Sequence, residues 1–131
     1  MYYFLDMDGV LNRESDWRKP FTVNPACLDS FRTLLRCDRN PVIVLSSTWR
    51  TNLDAVTPYF RVDDITPNTA GRKTRQEEIE FYIRRKGIKD YLIIDDDRTL
   101  FSNPENLRIY FTNHKTGLTN TDVKRIITKY L

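Results

Sequence analysis

The sequence predicts an α/β protein with a parallel sheet of five strands and helices on both faces of the sheet. Along the chain of 131 residues, short apolar runs alternate with segments of helical periodicity. This alternation is typical of sheets whose parallel strands are joined by crossover helices. The run at residues 41–45 is apolar throughout, which indicates a strand that is covered on both faces.

The strands and helices are expected in a regular order. We place the strands at residues 2–6, 41–45, 60–62, 91–95 and 108–111, of which 60–62 is the weakest. We place the helices at residues 24–37, 74–87 and from about 119 onward. Asn24, followed by Pro25, is a typical opening for the first helix. A capping box of Thr74 and Glu77 opens the second helix, which Gly87 closes.

Length and composition indicate one compact domain over residues 1–131. The chain is 40% hydrophobic and 30% charged and has no low-complexity tract, which argues against extended disorder. Its formal net charge is +3. This mild basic bias suits an anionic substrate without requiring nucleic acid.

Histidine and cysteine are scarce in this chain. Cys27 and Cys37 are expected on one helix, too far apart to form a disulfide. A single histidine, His114, and the lack of a Cys pair at ligand spacing argue against a zinc site or a Cys-His catalytic pair. Because no apolar run suggests a signal peptide or a membrane span, we expect a reduced, cytoplasmic compartment and no membrane partner. Carboxylates, hydroxyls and basic groups are left to carry any chemistry.

Two aspartates, Asp6 and Asp8, stand at the end of the first strand. Aspartate is depleted in strands and costly to bury. Two like charges on the same side of an extended chain repel one another unless a cation lies between them. The pair therefore indicates a bound metal ion, or a reaction that needs one carboxylate charged and the other protonated.

Polar residues also follow the other strong strands. Ser46 and Ser47 come after the second strand, and three aspartates at 95–97 end the fourth. The carboxyl ends of parallel strands meet at one edge of a sheet, where functional residues gather. Ser and Asp are also ordinary residues of turns. Because five carboxylates at one edge would repel strongly without a cation, we place a functional site there.

At these positions the chain resembles the haloacid dehalogenase (HAD) superfamily of phosphotransferases. The first motif of the superfamily, Asp-x-Asp, is matched by Asp6 and Asp8. The second motif, a Ser or Thr that ends the next core strand, is matched by Ser46, and the fourth, an acidic pair, by Asp95 and Asp96. The resemblance spans nearly the whole chain and is closest to the small phosphatase-like domains of RNA-repair and polynucleotide kinase-phosphatase proteins. It implies a three-layer, Rossmann-like fold.

The third motif of the superfamily is a Lys or Arg at the start of the helix before the last acidic strand. The segment 71–76 offers two candidates for it. The position relative to the helix favours Arg75, whereas the residue type favours Lys73. A basic run beside a capping box is also common as solvated surface. Both residues therefore remain candidates for the catalytic basic group.

The resemblance implies a Mg²⁺-dependent phosphatase that forms an aspartyl-phosphate. Asp6 would be the nucleophile. Asp8 would protonate the leaving oxygen and later take a proton from water. Asp6 and Asp95 would bind the metal ion together with the backbone carbonyl of Asp8, and Asp96 would be a further ligand or would orient one.

Ser46 is expected to be a further catalytic residue, and Ser47, Arg18 and Arg50 are expected to bind the substrate. Ser46 would hydrogen-bond a phosphoryl oxygen, helped by the backbone N–H of Ser47. The loop at 10–24 is rich in aromatic and basic residues, including Arg18, which would grip a nucleotide by stacking and phosphate contact. Arg50 invites the same interpretation. An ordinary loop anchored by Trp17 is the alternative.

The spacing of the motifs leaves no room for a large cap domain. The loop and the first helix use up most of the chain between Asp8 and Ser46, and the stretch from Ser47 to Thr74 is shorter still. By resemblance this is a capless member with an open site, and such relatives often act on macromolecular ends. We expect a phosphorylated substrate, either a nucleotide or a nucleic-acid end, and a monomer or weak homodimer.

Two other interpretations remain open. A phosphorelay receiver domain also gathers an acidic pair, a Ser or Thr and a Lys around Mg²⁺. In a receiver, however, the acidic pair follows the first strand, whereas Asp95 and Asp96 come late here. A catalytically idle relative that binds phosphate or nucleic acid is the other alternative, although Asp6 and Asp8 together exceed what binding alone requires.

Overall fold

A computed structural model describes all residues, 1–131. Five parallel strands form one sheet in the order β3-β2-β1-β4-β5, with β1 at Tyr2–Leu5, β2 at Val42–Leu45, β3 at Asp64–Ile65, β4 at Tyr91–Asp95 and β5 at Ile109–Phe111. Three helices complete the fold, α1 at Pro25–Arg36, α2 at Arg75–Lys86 and α3 at Asn120–Tyr130. The predicted parallel α/β architecture without a cap domain is confirmed. No helix has the combination of length and apolar character that a membrane crossing requires.

The helices cover both faces of the sheet because successive side chains of a strand point to opposite sides. Leu5 of β1 belongs to the larger core together with Phe31 of α1 and Ile126 of α3. Its neighbour Phe4 belongs to a smaller core together with Ile79 of α2. The helices α1 and α3 therefore lie on one face and α2 on the other, which gives the three layers expected of a Rossmann-like fold.

The third strand is the one element whose predicted position is wrong. The strand lies at Asp64–Ile65, not at 60–62, and pairs with β2 at the edge of the sheet. The segment at 60–62 is not a strand but attaches its loop to the core. The ring of Phe60 packs edge-on against the ring of Phe31, with centroids 5.2 Å apart. All other predicted strands and helices agree with the structure to within one residue at each end.

The ends of the helices follow the local signals in the sequence. The side chain of Asn24 accepts hydrogen bonds from the first turn of α1, and Thr74 and Glu77 form the capping box of α2. Gly87 ends α2 in the left-handed conformation, with φ of 65°, which glycine adopts at little cost. The capping box fixes where α2 begins, and so places Arg75 in its first turn.

The order of the strands creates a crevice at the centre of the sheet. Strand β1 pairs with β2 on one side and with β4 on the other. The chain adds β2 and β3 on one side of β1, and then crosses over to add β4 and β5 on the other side. Open α/β sheets bind ligands outside the carboxyl ends of the strands at this switch point. The order also differs from the 2-1-3-4-5 order typical of receiver domains, which argues against that alternative.

Candidate active site

Three carboxylates meet at the switch point. Oxygen atoms of Asp6, Asp95 and Asp96 all lie within 4.8 Å of one another. Leu5 of β1 is in register with Ile94 of β4, so the residues that follow them come side by side. Asp6 is only 5% exposed and Asp95 is fully buried. The structure thus brings Asp6 of the first motif together with both acidic residues of the fourth motif.

Arg75 contacts this carboxylate cluster directly. Its Nη1 lies 2.8 Å from Oδ2 of Asp95 and 3.1 Å from Oδ1 of Asp6. Lys73, the other candidate, is exposed, and its ammonium lies over the ring of Phe81, 5.5 Å from the centroid. Of the two basic residues that the sequence left open, Arg75 is the one at the site.

The cluster carries more negative charge than Arg75 can neutralise. Burial and the charge of Asp95 raise the pKa of Asp6 well above its usual range, although the Arg75 guanidinium acts in the opposite direction. Burial also raises the pKa of Asp96, with the charge of Asp95 adding to it and a hydrogen bond with Asp6 acting against it. Burial acts to lower the pKa of Arg75, but the charges of Asp6 and Asp95 outweigh it and raise that pKa. The site therefore favours a further cation or a proton.

Asp8 lies apart from the cluster, in a different environment. It is exposed, and both of its carboxylate oxygens accept a hydrogen bond. The amide Nδ2 of Asn12 donates to Oδ1 over 2.9 Å, and the indole Nε1 of Trp49 donates to Oδ2 over 3.2 Å. The side chain of Asp8 is thus not part of the predicted metal-binding cluster, and is instead held in place by neutral donors.

Asn12 is a site residue that the sequence reasoning missed. It is 1% exposed, and its amide makes four hydrogen bonds. Nδ2 donates to Asp8 and to the carbonyl of Thr22, while Oδ1 accepts from the backbone N–H of Gly9 and from Nε1 of Trp17. The one signal in the sequence for the burial of Asn12 is its position directly after the apolar residues Val10 and Leu11.

Gly9 shapes the turn between Asp8 and the rest of the site. Its φ is +81°, a region that non-glycine residues rarely adopt. A Cβ at this position would collide with the carboxylate of Asp96. The hydroxyl of Thr112, just after β5, donates to the Gly9 carbonyl over 2.7 Å. Glycine is therefore required for the first and fourth motifs to approach each other.

An open cleft of about 260 Å³ lies over these groups. Two members of the carboxylate cluster face this cleft together with Arg75 and Asp8. The complete lining is Asp6, Asp8, Trp17, Thr48, Arg75, Asp96, Asp97 and Leu100. A buried carboxylate, a second carboxylate held by neutral donors and a guanidinium thus face one cavity.

Comparison with known protein families supports this picture. A family model described as the HAD domain in Swiss Army Knife RNA repair proteins matches residues 2–123. The chain belongs to this family. The match confirms the predicted membership of the HAD superfamily and supports a phosphatase-like role for the domain. No curated protein and no solved structure gave a significant match to the chain.

The second motif of this HAD domain contains an unsatisfied hydroxyl. Ser46 is fully buried, and its Oγ has no hydrogen-bond partner. A buried hydroxyl without a hydrogen-bond partner is costly. Binding of a ligand whose oxygen accepts a hydrogen bond from this hydroxyl would therefore be favoured. The hydroxyl of Ser47 is used locally, since it accepts from the backbone N–H of Trp49 over 3.1 Å. Neither serine lines the cleft.

The two arginines predicted to bind substrate do not lie in the cleft of the HAD domain. Arg50 forms an ion pair with Glu78 over 3.1 Å, with both side chains less than 10% exposed, and also donates to the carbonyl of Ser46 over 2.9 Å. It therefore ties the second motif to α2. Arg18 is exposed and does not line the cleft. The guanidinium of Arg50 is engaged in the ion pair and does not line the cleft, so a contact of Arg50 with substrate stays a prediction.

Proposed function

We propose that this HAD domain is a Mg²⁺-dependent phosphomonoester hydrolase that acts on terminal phosphates of nucleic acids or nucleotides through an aspartyl-phosphate. The observation that carries the proposal is the contrast between Asp6 and Asp8. Asp6 is buried among charges in contact with Arg75, whereas Asp8 is exposed and held by neutral donors. Two carboxylates in such different environments suit two different roles.

The donor set at the switch point fits Mg²⁺. The ion prefers hard oxygen ligands and binds through a few carboxylates plus the substrate phosphate. Asp6, Asp95 and Asp96 would hold it, since their oxygens converge within 4.8 Å. Burial and the charge of Asp95 raise the pKa values of Asp6 and Asp96, and a bound cation would counter both effects. When bound, the ion offsets the negative charge of the phosphoryl group.

In the first chemical step, a carboxylate oxygen of Asp6 attacks phosphorus while the bond to the leaving oxygen breaks. The phosphoryl group is then carried by Asp6 as a mixed anhydride. Asp8 gives its proton to the departing oxygen, so the leaving group departs as a neutral alcohol. The hydrogen bonds from Asn12 and Trp49 fix the direction of the Asp8 carboxyl during this transfer.

In the second step, water attacks the phosphorus of the phospho-aspartate. Asp8, now ionised, takes a proton from that water, the bond from phosphorus to Asp6 breaks, and inorganic phosphate leaves. Arg75 stabilises the charge of the transferred group in both steps. The unpartnered hydroxyl of Ser46 and the backbone N–H of Ser47 would donate to phosphoryl oxygens, which would satisfy the buried Ser46 Oγ.

Two observations support nucleic-acid ends as the substrate class. The family is described by its occurrence in RNA repair proteins. In addition, the site has no cap domain, so its cleft is open to a large substrate. A terminal phosphate projects from a polymer and can enter such a cleft, whereas small metabolites are usually held in enclosed pockets.

A phosphatase screen with and without Mg²⁺ tests the proposal. Sugar phosphates, mononucleotides, phosphopeptides and oligonucleotides phosphorylated at the 3′ or 5′ end would be compared under identical conditions. We expect Mg²⁺-dependent release of phosphate from the oligonucleotides or mononucleotides, its loss in Asp6→Asn, and full activity in Asp54→Asn, an exposed aspartate outside the cleft. Good hydrolysis of sugar phosphates with phosphorylated oligonucleotides left intact would overturn the substrate class. Binding without turnover of any substrate would instead favour the idle relative.

A further inference from the structure

A second cleft adjoins the first. Its volume is about 310 Å³, and it is lined by Asp8, Asn12, Trp17, Lys19, Pro20 and Phe21. Asp8 and Trp17 line both clefts. The proton-transfer carboxylate therefore stands at the boundary between the two cavities.

Two large aromatic side chains in the second cleft are exposed. Trp17 is 42% exposed and Phe21 is 44% exposed. Exposed apolar surface that lines a cavity is a common mark of a binding site. Both residues belong to the loop between β1 and α1, which is rich in aromatic and basic residues.

The ring of Trp17 is fixed in its position. Its Nε1 donates to Oδ1 of Asn12 over 2.8 Å. Its plane lies near that of His114, with centroids 6.2 Å apart and an interplanar angle of 29°. The backbone N–H of Glu14 donates to the carbonyl of His114 over 2.8 Å, which ties the loop to the segment after β5. An exposed indole held in this way offers a preformed surface for stacking.

Phe21 is also held in place, at a conformational cost. Its φ is 56°, in the left-handed region that bulky residues rarely occupy. Its ring packs edge-on against Trp49, with centroids 5.1 Å apart. Trp49 in turn donates to Asp8. Both aromatic walls of the second cleft are thus connected to the two oxygens of the same carboxylate, one through Asn12 and the other through Trp49.

The position of Asp8 determines which part of a substrate belongs in the second cleft. A general acid must reach the leaving oxygen, which lies between the phosphorus and the rest of the substrate. With the phosphoryl group in the first cleft beside Asp6 and Arg75, the leaving group extends past Asp8 into the second cleft. There it would meet two aromatic rings and the ammonium of Lys19. A base for stacking and a further phosphate for the ammonium are the features of a nucleotide chain.

We propose that Trp17 and Phe21 form a stacking subsite for the base of the nucleotide that carries the scissile phosphate, with Lys19 contacting the next phosphate. This inference rests on the proposed function and adds a specificity to it. Because every base has a π-face, stacking tolerates all bases. The enzyme would therefore require a terminal base without selecting its identity.

The kinetic test compares two oligonucleotides that differ only in the terminal residue, one with a base and one abasic, each with a terminal phosphate. Loss of a stacked base costs about 1–3 kcal/mol, so we expect Trp17→Ala and Phe21→Ala to lower kcat/KM on the normal end by about tenfold. On the abasic end the wild type should already be as slow as the variants. Phe81→Ala is the matched control, since Phe81 is 38% exposed and lines neither cleft.

A conservative variant separates stacking from support of Asp8. Trp17→Phe keeps an aromatic face but loses the hydrogen bond to Asn12. If stacking matters, Trp17→Phe retains most of the preference for the normal over the abasic end. The inference is overturned if Trp17→Ala slows both ends equally, or if wild-type enzyme does not distinguish the two ends.

A binding measurement keeps this inference distinct from the proposed function. The chain has two tryptophans, so the part of the wild-type fluorescence that the Trp17→Phe variant loses reports on Trp17, with Trp49 left in place beside Asp8 and Phe21. We expect an unphosphorylated dinucleotide to quench this fluorescence, and an abasic analogue to quench it much less. Quenching without hydrolysis of any substrate would refute the phosphatase while supporting the subsite, whereas hydrolysis without quenching or base preference would refute the subsite alone.

Discussion

The amide of Asn12 donates a hydrogen bond of 2.9 Å to Oδ1 of Asp8. The same amide accepts from Trp17, so one buried side chain orients the Asp8 carboxylate, the proton donor that we propose, and holds the loop beside it. Because a misdirected carboxyl cannot reach the leaving oxygen, the effect of losing this donor should depend on how much the leaving group needs a proton.

We predict that Asn12→Asp slows hydrolysis of alkyl phosphates far more than that of aryl phosphates. The substitution preserves the shape and the Oδ1 acceptor, but it replaces the amide that donates to Asp8 with a carboxylate of like charge, which disturbs the direction of the Asp8 carboxyl. A positioned proton donor contributes about 10²–10⁴-fold, and we expect about a tenfold loss of kcat on alkyl substrates. Aryl phosphates leave without protonation and should be hydrolysed nearly as fast as by wild type. An equal loss on both substrate types would show that Asn12 only supports the fold.

Substitutions of Arg75 and Lys73 are expected to have different effects on activity. Arg75 contacts Asp6 and Asp95, whereas Lys73 lies over Phe81. We expect Arg75→Ala to lower kcat/KM by about 10²–10³, the usual cost of losing a charge-stabilising donor. Lys73→Ala should stay close to wild type. Steady-state kinetics on the best substrate measures both, and a larger loss in the Lys73 variant would reverse the assignment.

Mg²⁺ should stabilise the folded protein through the carboxylate cluster. A ligand that binds only the native state stabilises it by about 2.7 kcal/mol at 100 times its Kd. We therefore expect the midpoint of thermal unfolding to rise with Mg²⁺ and to fall back when a chelator is added. Asp95→Asn should remove most of this response, whereas Asp54→Asn should keep it. A rise of the same size in the Asp95 variant would place the ion elsewhere.

Asp64 and Tyr82 give a pH-dependent contribution to stability. The Tyr82 hydroxyl donates to Oδ2 of Asp64 over 2.6 Å and joins β3 to α2. Burial acts to raise the pKa of Asp64, but the hydrogen bonds from Tyr82 and from the backbone N–H of Ile65 outweigh it and lower that pKa. A carboxylate with a lowered folded pKa stabilises the fold above its unfolded value of about 3.9, and this contribution is lost as the pH falls through the folded pKa.

We therefore expect Tyr82→Phe to lower the free energy of unfolding by about 1–3 kcal/mol near neutral pH. The difference from wild type should shrink as the pH falls below about 3.9. Chemical denaturation over a range of pH measures it. Tyr59→Phe serves as the control, because the exposed hydroxyl of Tyr59 makes no hydrogen bond within the protein. A difference that stays constant with pH would mean that Asp64 is not the partner that matters.

Local signals in the sequence were sufficient for most of the fold. Strands β1, β2 and β4 are short apolar runs, and their polar ends predicted that Asp6 and Asp95 would meet at one edge. The strand β3 could not be found in this way, because it has only two residues and exists through pairing with β2. An edge strand of this length needs no apolar run, whereas Phe60 before it is apolar because it packs on Phe31.

The site was harder to predict where it depends on direction or on distant partners. The sequence could not separate Arg75 from Lys73, because the choice depends on which way the first turn of α2 faces. The ion pair of Arg50 with Glu78 could not be predicted, because the two residues are far apart along the chain. Arg50 was therefore expected to be free to bind substrate. Asn12 was missed because its four hydrogen bonds depend on the folded path of the loop, which the sequence does not show.

Trapping of the phosphoryl group on the enzyme tests the central claim most directly. The Asp8→Asn variant would be mixed with an aryl phosphomonoester and Mg²⁺, since this substrate can phosphorylate Asp6 without a proton donor while the second step lacks its base. Acid quenching and borohydride reduction convert an aspartyl-phosphate to homoserine, which peptide mass spectrometry locates. We predict homoserine at position 6 and none in the double variant with Asp6→Asn. Phosphate release with no modification at position 6, or modification of another residue, would contradict the assignment of Asp6 as the nucleophile.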